Sequence, residues 1–452
     1  MSSASPKGRN MTVGSPAGHI LAFSLPLLAG SFLQQFYNLV DSWVVGNYVS
    51  DAALAAVGMG YPVMTLFNSL FLGLSTGGTV IIAQYYGAGK GGNVRTAVDT
   101  IYTAFIRSVV PMTAIALLLI KPLLWALRVD ESAYHEAWVY LAVVCAGLVG
   151  TIGYNLNAGI LNGLGNSGTT LLFLAIAAVM NIVLDLVFVL VFGMGVFGVA
   201  LATIIAQAFS WLFGIFYINR RYPEIAIHPF SGNFDAAIFR KIVDVGLPAG
   251  LQMSLVSIAV LFVTSKVNTF GTETYGAGFN VGNKLDSMAF LPIQSLCSGI
   301  TAFVGQNMGA GEEKRAVRGT WVTVGISVVW TVISAVVLLR WGDVLAGVFT
   351  PEQGVVDATV VYLNCVMPPY VFLVTFYVLN SAMRGAGDSL FPMVNTVVNM
   401  LLVRVPALYF LANTFGPTYM YWGYGVGWVV GCTLSVVYYC SGRWKRKGSL
   451  AK

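Results

Sequence analysis

Charge is scarce in this sequence. Only 9% of its 452 residues are Asp, Glu, Lys or Arg, while 57% are hydrophobic, and no water-soluble core is built from such a mixture. Cysteine is scarce as well. The five present (Cys145, Cys297, Cys365, Cys432 and Cys440) show no C-x-x-C spacing and fall in or at the edge of apolar stretches, which argues against metal and disulfide roles and for buried thiols. No nucleotide-binding motif occurs: Gly87-Ala88-Gly89-Lys90 lacks the spacing of a phosphate-binding loop, so ATP drive is disfavoured. Lys7 and Arg9 precede a long apolar run that lacks the short core and small-residue cleavage site of a removable signal peptide, so the first helix is expected to remain in the protein. The net charge of +6 does not point to nucleic acid, because the basic residues do not cluster with exposed aromatics.

What is present is a succession of twelve apolar segments, roughly 17–46, 53–86, 94–120, 134–161, 168–192, 195–219, 240–268, 275–308, 316–340, 355–383, 388–413 and 418–442. Each is long enough to cross a ~30 Å hydrocarbon layer, which predicts an all-α polytopic membrane protein with 12 transmembrane helices. The fifth and sixth are separated only by Gly193-Met194-Gly195. With the N-terminus in the cytoplasm, 17 basic residues, including Lys7, Lys314, Arg315, Arg318, Arg384, Lys447 and Lys452, fall inside and only Lys121, Arg128 and Arg340 outside. That bias predicts both termini cytoplasmic.

The chain repeats itself at an offset of 222 residues: Leu25-Pro26 returns as Leu247-Pro248, Gln84-x2-Gly87-Ala88-Gly89 as Gln306-x2-Gly309-Ala310-Gly311, and Gly163-x-Gly165-x-Ser167 as Gly385-x-Gly387-x-Ser389. Six helices per repeat is an even number, so the halves enter the membrane in the same sense, as a parallel repeat about a pseudo-two-fold axis along the membrane normal. The predicted organisation is an N-terminal lobe (1–220), a cytoplasmic linker (221–240) and a C-terminal lobe (241–452). Pairs of glycines one turn apart, such as Gly73 and Gly77, Gly159 and Gly163, and the run Gly423, Gly427 and Gly431, predict close helix approaches.

Within the first segment Gln34, Tyr37, Asn38 and Asp41 recur at helical spacing, giving one polar face that ends in a carboxylate. Pro26 lies further in, where it removes a backbone hydrogen bond and permits a bend. The fifth segment carries Asn181 and Asp185 on one face, the sixth a stripe of Thr203, Gln207 and Ser210, and the fourth a patch of Thr151, Tyr154 and Asn155. Asp41, Asn181, Asp185 and Thr203 together form an oxygen-rich cluster. Two carboxylates sharing a low-dielectric site cannot both ionise cheaply, so one of them can bind and release a proton; the same oxygens also suit Na⁺. Intramembrane carboxylates mark ion pathways by default. Asp286, with Lys266 and Lys284 on the seventh and eighth segments, is expected to form a structural ion pair, while Arg107 and Arg404 are expected to snorkel or to meet backbone carbonyls.

On these residues the chain resembles the multidrug and toxic compound extrusion transporters, and more narrowly their DinF-like branch. The resemblance covers essentially the whole chain. It implies that Asp41, Asn181, Asp185 and Thr203 couple transport to a proton, that protonation rearranges the first helix around Pro26, and that Gln34, Tyr37 and Asn155 contact drug; Gln207 of the sixth-segment stripe is placed with them. It implies a monomeric inner-membrane antiporter for small amphiphilic, often cationic compounds, with no enzyme activity and no cofactor beyond the coupling ion, H⁺ or Na⁺. The acids that the NorM-like branch carries in its seventh and tenth helices are missing here: Val263 stands opposite Asp41 at the repeat offset. A lipid or lipid-linked oligosaccharide flippase is the alternative, carried by Arg107, Lys266, Lys284 and Arg404.

Overall fold

A computed structural model describes residues 8–126, 129 and 131–446. Lys7, Arg128, Lys447 and Lys452, which enter the charge bias, lie outside the described residues. Among the described residues the regular elements are helices. α1 (Pro16–Tyr48) contains Pro26, and α2 (Asp51–Gly87) is capped by the Ser50 hydroxyl, which accepts the Ala53 N–H at 3.0 Å. α3 spans Gly91–Ala126. α4 (Glu131–Ala146) and α5 (Leu148–Gly163) are bent by 50° about Gly147, where a Cβ would stand 2.2 Å from Ile204 Cγ2. α6 (Ser167–Leu186) widens into a π-helical turn over Val187–Val191 before α7 (Gly195–Arg221) begins. Between them Gly193 and Gly195 take φ of +63° and +55°, a left-handed turn that breaks what reads as one long apolar run.

The second half opens with α8 (Ala236–Asn268), which contains Pro248, followed by α9 (Ala277–Gly309) and α10 (Glu313–Gly347). α11 (Gln353–Val366) and α12 (Tyr370–Gly385) are bent by 60° across Pro368-Pro369. α13 (Leu390–Thr396) runs through a π-helical stretch, Val397–Arg404, into α14 (Val405–Phe415), and α15 spans Trp422–Cys440. Among the described residues nine helices are long and apolar enough to cross a membrane, and up to eleven if each bent pair is one span. Four cysteines are buried as expected, but Cys440, at the end of α15, is exposed.

By packing, the chain divides into two units, one of residues 1–10 and Leu25–Gly250, the other of Met11–Ser24 and Leu251–Lys452. Of the three cuts, two fall inside a helix, beside Pro26 in α1 and Pro248 in α8. In the first unit the paired glycines do bring backbones together: a Cβ on Gly77 would lie 2.3 Å from the Ile242 carbonyl oxygen of α8, and one on Gly159 2.5 Å from Ser75 Oγ of α2. The Ser75 and Thr79 hydroxyls use that closeness to donate to the carbonyls of Asn155 and Gly159 at 2.7 and 2.9 Å. In the second unit Gly423, Gly427 and Gly431 of α15 press on Leu408, Arg404 and Asn399.

The repeated motifs make the same local structures. Gly89 and Gly311 end their helices at φ of +68° and +79°, each after an alanine N–H bonded to a glutamine carbonyl at 3.0 Å. Thr301 donates to the Ser381 carbonyl at 3.0 Å, as Thr79 does to that of Gly159.

Candidate functional site

The polar face of α1 behaves unevenly. Gln34 is exposed, whereas Tyr37, Asn38 and Asp41 are half-buried. α6 brings the partners: Asn181 and Asp185, one turn apart, are 3% and 0% exposed, and the π-helical turn starts just beyond them at Val187. Such widened turns recur at functional positions because they re-aim the side chains beside them. The carboxyl groups of Asp41 and Asp185 stand in hydrogen-bonding contact.

The neighbouring polar side chains direct hydrogen bonds elsewhere. The Asn181 amide donates to Thr203 Oγ1 at 3.3 Å, and the Thr203 hydroxyl in turn donates to the Val199 carbonyl at 3.1 Å. These two hydrogen bonds are thereby spent away from the acids. Asp41 Oδ1, both carboxyl oxygens of Asp185, Asn181 Oδ1 and Gln207 Oε1 are buried with no hydrogen-bond partner among the protein atoms. A buried acceptor left bare costs about 1–3 kcal/mol. Two full negative charges at ~4 Å repel by about 4 kcal/mol even at an effective dielectric of ~20. One proton between the carboxyls removes the repulsion and supplies the missing donor.

Tyr37, Asn181, Thr203 and Gln207 line one small cavity of about 10 Å³, room for about one water. Of the residues expected to contact drug, Tyr37 and Gln207 therefore share a space with the acid cluster, while Gln34 and Asn155 are not in its lining. The Asn155 amide is turned along its own helix to the Thr151 carbonyl at 2.8 Å. Pro26 is half-buried within α1. One neighbour escaped the sequence reading. Tyr140 of α4 lies within electrostatic reach of Asp41, Asp185 and Tyr37, its ring packed against the valine cluster of Val44, Val45, Val189, Val196 and Val199. A lone tyrosine in an apolar segment gives no periodic signal. Among the described residues no three His, Cys, Asp or Glu side chains form a group that could hold a metal ion.

The second unit corrects an expectation. Asp286 makes no ion pair with Lys266 or Lys284. Instead the Tyr370 phenol donates to its Oδ1 and the Tyr362 phenol to its Oδ2 at 3.4 Å. Lys266 donates to Asn413 Oδ1 at 2.7 Å and lies 5.2 Å from the Phe270 ring centre; Lys284 lies 5.7 Å from that of Phe349. Arg404 is buried with its guanidinium 3.6 Å from the centre of the Tyr424 ring, a cation–π contact rather than a carbonyl pairing. Arg107 is exposed and lies over Phe234 at 5.7 Å.

Similarity to known proteins runs nearly the whole length of the chain. The chain is 29% identical over 440 residues to the probable multidrug resistance protein YpnP of Bacillus subtilis (strain 168), covering 97% of this chain and 98% of that one. It is 24% identical over 450 residues to the probable multidrug resistance protein NorM of Thermotoga maritima, covering 96% and 94%. A crystal structure of MATE in the bent conformation matches the fold with a TM-score of 0.90 at 24% identity over 98% of both chains. The MatE family model matches twice, over residues 26–187 and 248–410, so that the two matches open on the two helix prolines. The chain therefore belongs to the MatE family, and is a multi-pass membrane transporter rather than an enzyme.

Proposed function

We propose that this transporter is a proton-coupled antiporter of the DinF-like branch that exports amphiphilic, often cationic drugs or toxic compounds by alternating access. The observation that supports the proposal is the contact between the Asp41 and Asp185 carboxyls, in which Asp41 Oδ1 and both Asp185 oxygens are buried with no hydrogen-bond partner among the protein atoms. A proton joins α1 to α6 and draws Asp41 toward Asn181 and Thr203. Its loss leaves two charges that push α1 away, and Pro26 is where the helix bends in response. The single-water cavity supports reading the present arrangement as the protonated one, from which drug has been released. Tyr37 and Gln207 then contact the substrate when α1 moves off, with Gln34 and Asn155 completing the wall.

The proposal includes twelve spans, with α2 as one of them and each bent pair another, in a lobe of residues 1–220 and a lobe of 241–452 joined by a cytoplasmic linker, 221–240. The parallel repeat supports this organisation and the basic-residue bias supports an inner-membrane protein with both termini cytoplasmic. The working unit is a monomer. The energetics suffice: one charge crossing ~100 mV supplies about 2.3 kcal/mol, and a tenfold gradient of a neutral compound costs about 1.4 kcal/mol.

The flippase alternative needs basic residues disposed around a diphosphate. Its four candidates, Arg107, Lys266, Lys284 and Arg404, each lie over an aromatic ring, which weighs against it. The test is uptake of a fluorescent cation by proteoliposomes under an imposed pH gradient and then an imposed Na⁺ gradient. Uptake driven by the pH gradient and lost in Asp41→Asn is the expected result. Uptake driven by Na⁺ alone would keep the antiporter and replace its ion.

A further inference from the structure

The second unit holds a polar pocket that the transport cycle does not use. A cavity of about 570 Å³ lies between the segment leading into α1, at Thr12, Gly14 and Ser15, and the start of α10, where Glu312, Lys314, Arg315 and Arg318 face it. One wall is fixed by Arg315. Its Nη1 donates to the Gly14 carbonyl at 2.7 Å, and its Nε and Nη2 to the Met11 carbonyl at 3.3 and 3.1 Å. Met11 is fully buried and gives its N–H to Gln306 Oε1 at 2.9 Å. The segment is thus held in place and the pocket is built into the fold.

Lys314 and Arg318 stand one turn apart on α10 and both are exposed. The ion pair found among the described residues joins Lys445 to Glu313 at 3.9 Å and involves neither of them. Three cations therefore face one carboxylate, Glu312. α1 also begins at Pro16, in the pocket lining, with no acidic residue in its first turn, so its positive end is not offset there. This chemistry suits a phosphate group. The flank decides which kind. Trp321 follows Arg318 on α10 and is 44% exposed, and beyond it Val329, Val332, Ile333 and Val336 are 50–61% exposed. A cationic cluster, then a tryptophan, then bare apolar surface is the profile of a helix passing from the headgroup layer into hydrocarbon. A soluble anion has no use for that flank, but acyl chains do.

We infer that this pocket binds the headgroup of an anionic phospholipid, with Lys314 and Arg318 on its phosphate and its chains along α10. The full-length protein, stripped of lipid in detergent and examined by native mass spectrometry, should retain added phosphatidylglycerol in preference to phosphatidylcholine. Lys314→Gln with Arg318→Gln should weaken that retention roughly 30-fold, equivalent to about 1 kcal/mol for each basic residue. Arg340→Gln, which removes a charge near the far end of α10, should leave it unchanged, and Glu312→Gln should strengthen it. Should the double variant not fold, each single change is expected to lose roughly fivefold. Equal retention of the two lipids, or full retention by folded Lys314 and Arg318 variants, would overturn the assignment. So would inorganic phosphate binding the pocket as tightly as phosphatidylglycerol, since the flank would then contribute nothing.

Discussion

Two intramembrane acid sites, one in each unit, are satisfied in opposite ways. Asp286 receives hydrogen bonds from the phenols of Tyr362 and Tyr370 and has the Arg404 guanidinium within electrostatic reach. Asp41 and Asp185 face each other, and the nearby Asn181 and Thr203 donate elsewhere. The lesson is that the donors around a membrane carboxylate, more than its depth, decide what it can do. An acid whose partners are supplied by the protein is part of the scaffold. An acid whose missing partner is a hydrogen can exchange one.

The comparison breaks most sharply on the acids themselves. Asp41→Asn or Asp185→Asn should reduce pH-driven transport to the level of empty liposomes, whereas Asp286→Asn, whose amide oxygen still accepts from one phenol while its NH₂ can donate to the oxygen of the other, should transport at close to the wild-type rate. If Asp286→Asn were as inactive as Asp41→Asn, the distinction would fail. The next effect is on pH dependence. Raising the pH removes the shared proton and frees α1, so substrate binding to wild type should strengthen as pH rises, and titrations of Asp41→Asn should show this slope flattened.

Stability sharpens the contrast from the other side. Asp286→Leu leaves the buried Tyr370 phenol without an acceptor, at about 1–3 kcal/mol, and leaves Tyr362 only its long contact to Asn283 Oδ1 at 3.5 Å, so its thermal midpoint in detergent should fall clearly below that of Asp41→Leu. Removing Asp41 gives up only the single shared-proton contact to Asp185 and should cost less. The smallest expected effect is at Thr203. Thr203→Val takes away the acceptor of the Asn181 amide, which becomes free to turn toward the acids and compete with the proton, for a change of about 1 kcal/mol, or roughly fivefold, in the proton concentration that half-activates transport.

Much of this site was legible because helical spacing is geometric. Asp41 and Tyr37 are four residues apart, as are Asn181 and Asp185, and residues so spaced share a face in any α-helix. The repeated turns at Gly89 and Gly311 were legible for the same reason, since a local motif dictates local structure. What escaped depended on distant residues. Asp286 finds its donors on Tyr362 and Tyr370, far along the chain, and the two lysines nearer in sequence were the wrong partners because a long flexible ammonium satisfies itself more readily on an amide or a ring. Tyr140 was hidden by its apolar neighbours. The bends between α4 and α5 and between α11 and α12 were both read through as continuous apolar runs; Gly147 gives way at the first to the bulk of Ile204, and Pro368-Pro369 stands at the second. The exposure of Gln34 and the turn of Asn155 toward Thr151 are side-chain choices that periodicity does not encode.

The most direct test of the shared proton is to count it. Substrate added to the purified transporter in weakly buffered detergent solution should release about one proton per substrate bound from wild type and none from Asp41→Asn or Asp185→Asn. Substrate binding to wild type without proton release, or release that persists in both variants, would contradict the account.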